Sequence, residues 1–310
     1  MRASLFRWLG PATSLLLLAA AVWVLHRALQ KIAFADVMAA IRSIPLNVII
    51  AASTTSWLSY VSLIGFDVLA LRYAGRSLAL WRMALAAFVS QGISHSLGFA
   101  LLTGGAVRLR MYTVAGISPL DVARILAIVG MAFTLGAVVV AAGACLLEPE
   151  RVAAVTRSSE PVVLASGLLL VALYLLYLYW CRFDRRPLTF RGQTMAAPSL
   201  GITLVQTLNG AVDLALAGAT LYLLLPEHDE FTYPAFLGVY VIAYCAGILS
   251  HVPGGLGVFE GVVLLLMPEI PVDQVIGAVL VYRVIYNLCP LAVAAAMLGV
   301  YEILHRPSRR

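Results

Sequence analysis

The apolar residues of this chain gather in long runs separated by short polar connections. Six runs have the length of a spanning helix, roughly 17–25 residues or more. They lie at about 12–29, 46–70, 121–147, 161–181, 199–225 and 274–303. Between the first two, KIAFADVMAAIRSIP places Ile32, Phe34, Val37, Met38 and Ile41 at approximate helical spacing. That pattern predicts a short amphipathic helix lying at the membrane interface. Two further apolar regions are interrupted. One is MALAAFVSQGISHSLGFALLTGGAVRLRMY, from Met83 to Tyr112. The other runs through AFLGVYVIAYCAGIL and SHVPGGLGVFEG into VVLLLM, ending at Met267. In hydrocarbon an unpaired backbone group costs several kcal/mol, so glycine- and proline-rich breaks at membrane depth must line protein or a water-filled cavity. Both regions are predicted to be re-entrant helical hairpins.

Charge supports that count. With Arg2 and Arg7 on the cytoplasmic side and both hairpins re-entrant, Arg72, Arg76, Arg82, Arg108, Arg110, the arginines of 182–191 and the C-terminal HRPSRR all face inward. Glu148, Glu150, PEHDE and MPEIPVD then face outward. Only the modestly basic 26–45 linker departs from the positive-inside rule. Both termini are expected in the cytoplasm.

The interrupted regions also resemble each other. GGAVRLR (Gly104 to Arg110) overlays GGLGVFE (Gly254 to Glu260), and a Ser-His pair precedes each: Ser94–His95 and Ser250–His251. DVLAL at Asp67 overlays DLALA at Asp213, and PLDV at Pro119 overlays PVDQV at Pro271. The matches keep one order and a nearly constant offset. They predict repeat A at about 46–147 and repeat B at about 199–303, with 12–29 and 161–181 as additional helices. Because the hairpins enter from opposite sides, the repeat is inverted, a plan in which sites form where broken helices meet near the midplane. The expected fold is an all-α integral membrane protein with one transmembrane domain, 1–310, of about six spanning helices and two re-entrant hairpins.

Composition narrows the function. Of 310 residues 62% are hydrophobic and 12% charged, against about 25% charged in soluble domains. This excludes most soluble enzymes. The net charge is +6, but the basic residues are scattered along the loops and form no nucleic-acid patch. Cys145, Cys181, Cys245 and Cys289 have no metal or redox spacing and read as packing residues. The N-terminal MRASLFRWLGPATSLLLLAAAVWVL lacks a clear cleavage site and reads as an uncleaved anchor. No catalytic motif, cofactor motif or metal constellation stands out.

The chemistry lies in charges set among apolar residues, where each costs roughly 2.5–3.5 kcal/mol on insertion scales. Glu260 is either a headgroup or proton ligand or a carboxylate bolted to an arginine. By the repeat it faces Arg110. Arg108 and Arg110 suit bidentate phosphate binding or serve as ordinary cytoplasmic arginines. Gly104, Gly105, Gly254 and Gly255 provide tight turns and close backbone approach, or close helix packing. Asp67 lies near the end of its span and can snorkel. Asp213 is deeper. Arg283 is expected to pair with Asp213 or Glu260. His95 and His251 are weaker site residues that also read as hydrogen-bonded packing. Asp121 and Asp273 read as helix-start caps.

SHSLGFALLTGGAVRLRMYTVAGIS, HVPGGLGVFEG, FDVLALRYAG and VDLALAGATLYLLLP resemble the transmembrane region of the lysylphosphatidylglycerol synthetase/flippase family and its stand-alone inner-membrane relatives. The resemblance covers about residues 10–305. It implies a domain that moves aminoacylated phosphatidylglycerol to the outer leaflet. The family's separate cytosolic domain makes that lipid from aminoacyl-tRNA. With the chain ending soon after its last span, a stand-alone form without the synthetase domain is expected. Carried over residue by residue, the groove comprises Asp67, Arg108, Arg110, Asp213, Gly254, Gly255 and Glu260. The expected function is lipid translocation in the bacterial inner membrane, with membrane lipids as partners and no cofactor. The alternative is a non-transporting scaffold or accessory subunit, with a second copy or a lipid-synthesis enzyme as partner.

Overall fold

The computed structural model describes residues 44–100, 102–183, 188–190, 193–195, 197–226, 232–250 and 252–305. The first expected span (12–29), most of the interfacial helix and His251 lie outside the described residues. Among the described residues, five helices are long and apolar enough to cross a membrane. They are α1 (Leu46–Tyr73), α4 (Pro119–Leu147), α6 (Glu160–Phe183), α7 (Leu200–Leu224) and a composite last span, Val272–Leu304. The remaining helices are shorter: α2 (Leu80–Leu97), α3 (Thr103–Val114), α5 (Pro149–Thr156), α8 (Tyr233–Leu249) and α9 (Val258–Leu266). A two-stranded antiparallel ribbon, Leu188–Phe190 with Gln193–Met195, sits in the connection after α6, where no strand was expected.

Both interrupted regions are helix–break–helix hairpins. In the first, α2 stops at Gly98 (φ 72°) and Phe99 (φ 48°), and α3 folds back along it. The Thr103 hydroxyl donates to the Gly98 carbonyl at 2.8 Å and fixes the turn. Gly104 and Gly105 are therefore not the turn. Both are helical, and a β-carbon on Gly104 would stand 2.8 Å from the Ser90 carbonyl. The first glycine pair lets α3 lie close on α2. In the second hairpin the glycines do make the turn: Gly254, Gly255 and Gly257 have φ of 61°, 62° and 82°. The arm that follows, α9, has 9 residues and extends only about 14 Å at 1.5 Å per residue.

The two breaks meet. A β-carbon on Gly98 would lie 3.5 Å from Pro253 Cα, and one on Gly254 would lie 3.0 Å from the Ser96 carbonyl. Gly254→Ala is expected to cost about 1–2 kcal/mol from its left-handed backbone alone, with the Ser96 contact adding to it. A melting curve in detergent would show the lowered transition.

Around this contact the elements run twice in the order long helix, hairpin, long helix. Helix α1 lies along α7, joined by the Thr55–Thr220 hydroxyl pair at 3.0 Å. The first arm of each hairpin leans on the other half: α2 on the last span, α8 on α4. Small residues bring these surfaces together. Gly92 sits against Pro290 and Ala294, and Gly238 against Ala144. Helix α7 crosses α4 at Gly210 and Gly136, where an added β-carbon would overlap the opposing backbone.

The last span is α10 (Val272–Tyr282), a π-helical stretch (Arg283–Leu288) and α11 (Cys289–Leu304). Pro290 brings no N–H to the ladder, and a wider turn before it absorbs the mismatch. The π stretch turns Arg283, Tyr286 and Asn287 toward the interior, where all three are buried. At the start of α4 the cap is Ser118, whose hydroxyl accepts from the Asp121 N–H at 3.2 Å. Asp121, expected as the cap, instead binds Arg76 at 2.8 Å and Arg124 at 3.2 Å.

Candidate functional site

A cavity of about 770 Å³ lies beside the meeting point of the two breaks. Its lining includes Gly98 from the first break, and Gly254 and Gly255 from the second. Arg108, Asp213, Arg283 and His95 also line it. Its rim includes Phe99, Leu102 and Ile248, all exposed large apolar residues, and the exposed Gly130 and Thr134 of α4. The cavity thus opens sideways, onto the apolar flank of the helices.

Three carboxylates and two arginines define its electrostatics. Asp67 is fully buried and does not snorkel. Arg108, 3% exposed, donates to it through Nε at 2.9 Å and Nη2 at 2.8 Å, and the Tyr112 hydroxyl adds a bond of 2.6 Å. A buried ion pair is tolerable only with such full satisfaction. Arg283 chooses Glu260, not Asp213, at 2.7 Å. It also donates to the Gly254 carbonyl at 2.5 Å and the Gly255 carbonyl at 3.4 Å, while its guanidinium lies 5.3 Å from the Phe259 ring centre. The second oxygen of Glu260 accepts from the Gly257 N–H at 2.7 Å. Glu260 and Arg283 together clamp the left-handed turn. Glu260 itself is absent from the cavity wall, whereas Arg283 is on it.

Asp213 differs. Its Oδ1 accepts from Ser59 at 2.5 Å and Ser62 at 3.2 Å, and Ser59 also meets the Tyr286 hydroxyl at 3.1 Å. Among the described residues no cation pairs with it. Asp67, its match in the sequence repeat, holds Arg108; the position matching Arg108 in the second half is Val258. The two arginines on the wall are each paired with a carboxylate, which leaves Asp213 as an acidic group with no cationic partner among the described residues.

The expected opposition of Arg110 and Glu260 does not occur. Arg110 pairs with Glu302 of α11 at 3.2 Å and lies off the cavity. The repeat marked the two positions as equivalent, and equivalent positions across a two-fold axis need not touch. Gly104 and Gly105 are also off the wall. His95 is on it, stacked on Tyr286 with centroids 5.6 Å apart and 3.4 Å from the Tyr60 hydroxyl.

Sequence reasoning missed the tyrosines. Tyr244 and Tyr282 line the cavity, Tyr286 reaches Asp213 through Ser59, and Tyr240 bonds Tyr282 at 2.8 Å. The signal was present: YVIAY (240–244) and YRVIY (282–286) each place two tyrosines on one helix face. Glu302 and Asn287 carried no comparable mark.

Residues 11–294 match the family described as the lysylphosphatidylglycerol synthase TM region. Uncharacterized protein slr0712 of Synechocystis is 36% identical, with 93% of this chain and 90% of that protein aligned. Inner membrane protein YbhN of Escherichia coli is 28% identical over 86% of this chain and 83% of its own length. The phosphatidylglycerol lysyltransferase of Staphylococcus aureus MSSA476 is 22% identical over 88% of this chain, which spans 32% of that longer protein. With five apolar helices of spanning length among the described residues and these relatives, this is a multi-pass membrane protein, and the chain belongs to the family of the lysylphosphatidylglycerol synthase transmembrane region.

Proposed function

We propose that the chain is a lipid translocator of the bacterial cytoplasmic membrane. The polar headgroup crosses through the cavity between the two hairpin tips while the acyl chains stay in the bilayer. The observation that carries this reading is a laterally open cavity, formed where two helix breaks meet, with one acidic side chain, Asp213, that pairs with no cation among the described residues. Such a cavity lowers the barrier a headgroup meets in hydrocarbon, because polar groups and water replace lipid along the path. The cross-packing of α2 on the last span and of α8 on α4 supports the inverted repeat, with each hairpin re-entrant. The basic loops support cytoplasmic termini. A phospholipid is the substrate class, in keeping with the phosphatidylglycerol lysyltransferase relatives. A cationic part of its headgroup faces Asp213, and Arg108 and Arg283, which line the same cavity, meet phosphate. No chemical conversion of the lipid is part of this reading.

Gly130 offers the test. It is exposed on the cavity rim, and a β-carbon there would meet nothing within 4 Å. Gly130→Trp is therefore expected to fill the mouth while leaving the fold intact. In proteoliposomes holding fluorescent phospholipids, dithionite should bleach the inner-leaflet pool with wild-type protein and spare it with Gly130→Trp. Bleaching no greater with wild type than in empty vesicles would refute translocation.

A further inference from the structure

We infer that Asp213 is a proton-exchange site, so that binding of a cationic headgroup in the cavity releases a proton. The inference rests on the reading of the cavity as a headgroup path and adds the ion that is exchanged there. Asp213 is 5% exposed, and among the described residues two serine hydroxyls donate to it. A bare carboxylate at this depth is costly unless it is neutralised or paired. The Asp67 site shows how the same fold solves the problem permanently, with Arg108 at 2.8 Å. At Asp213 no such partner stands among the described residues. The tyrosines around it, Tyr60 on α1, Tyr244 on α8, and Tyr282 and Tyr286 on the last span, can donate hydrogen bonds but carry no positive charge. Arg108 and Arg283 on the same wall are held by Asp67 and Glu260, and His95 is packed on Tyr286.

A second group points to a ligand. Asn287 is 8% exposed, and its Nδ2 donates to the His95 carbonyl while its buried Oδ1 has no partner. It lines the same cavity. Once Asp213 has lost its proton, the cavity offers an anionic acceptor and the unpartnered Asn287 Oδ1, a combination that suits an N–H-bearing cation. In the empty cavity Asp213 holds a proton on its carboxyl group. When a headgroup ammonium arrives, that O–H bond breaks, the proton passes to cavity water, and the carboxylate pairs with the ammonium. No bond to the lipid forms. Return of the proton expels the cation.

Infrared spectra of the purified protein test this without any transport step. Wild type should show a carboxylic-acid C=O band that Asp213→Asn lacks. Ser62→Ala retains the carboxyl group and removes one hydroxyl donor, so it should shift the band without abolishing it. Addition of short-chain phosphatidylethanolamine should remove the band and release protons to an indicator dye, whereas short-chain phosphatidylglycerol should do neither. A band that persists in Asp213→Asn, or phosphatidylethanolamine binding without proton release, overturns the inference. If the band behaves as stated but vesicles move no lipid, translocation fails and the proton site stands.

Discussion

Asp67→Ala is expected to destabilise the folded protein by about 3–5 kcal/mol, the usual range when one partner of a buried ion pair is removed. The reason is the guanidinium left behind. Arg108 is 3% exposed, and both its hydrogen-bonded nitrogens point at Asp67. Alanine offers no acceptor, and the Tyr112 hydroxyl loses its partner as well. The α3 arm of the first hairpin carries Arg108, so the loss should loosen that hairpin before the rest. A double replacement, Asp67→Leu with Arg108→Met, removes both charges and should cost far less than the two single changes added together. Reversible unfolding in mixed micelles across this cycle measures the coupling. A single-mutant loss below 1 kcal/mol would contradict a buried pair.

The second large effect belongs to Gly210. A β-carbon there would overlap the Ala132 carbonyl and stand 3.1 Å from Gly136 Cα. These are backbone atoms, which cannot swing aside as a flexible side chain can. Gly210→Ala should therefore push α7 away from α4 and cost about 1–3 kcal/mol, the usual range for overpacking. Because α7 also carries Asp213, the shift should reach the cavity, and lipid bleaching in vesicles should slow together with the fall in stability. Gly143→Ala is the control. It lies in the same α4 helix with open space around it, and alanine there should stabilise by roughly 0.5–1 kcal/mol. Equal stability of the two variants would mean that the helices do not cross as closely as the glycines imply.

Much of this architecture was legible because lipid punishes exceptions. Apolar runs marked the long helices. The glycines and proline of SHVPGGLGVFEG marked a turn that would be intolerable in hydrocarbon unless protein or water surrounded it. Asp67, Arg108, Asp213, Glu260 and Arg283 were visible as charges among apolar residues for the same reason. What sequence could not supply was geometry. GG at 104–105 and GG at 254–255 look alike, yet one pair seats a helix and the other turns the chain, because the first hairpin turns earlier, at Gly98 and Phe99. Partner choice was equally hidden. Arg110 reaches Glu302 on the far helix, a pairing that no repeat or spacing announces. The π stretch at Arg283–Leu288 follows from the mismatch around Pro290 and turns Asn287 inward, so the cavity wall owes part of its composition to a fault in helical phase.

The reciprocal seating of the two hairpins bears on how the chain is made. Gly92 of α2 rests on Pro290 and Ala294, which the ribosome adds long after α2. Until then the first hairpin has its packing on α1 and α4 and the Arg108 bond to Asp67 of α1, but not the surface of α11. The second hairpin emerges into the opposite situation, with α4 already inserted and Ala144 in place to receive Gly238. The seat of α2 on α11 is thus completed only after α11 has been inserted. A chain interrupted before α11 would leave the Gly92 face of α2 without the helix it packs on.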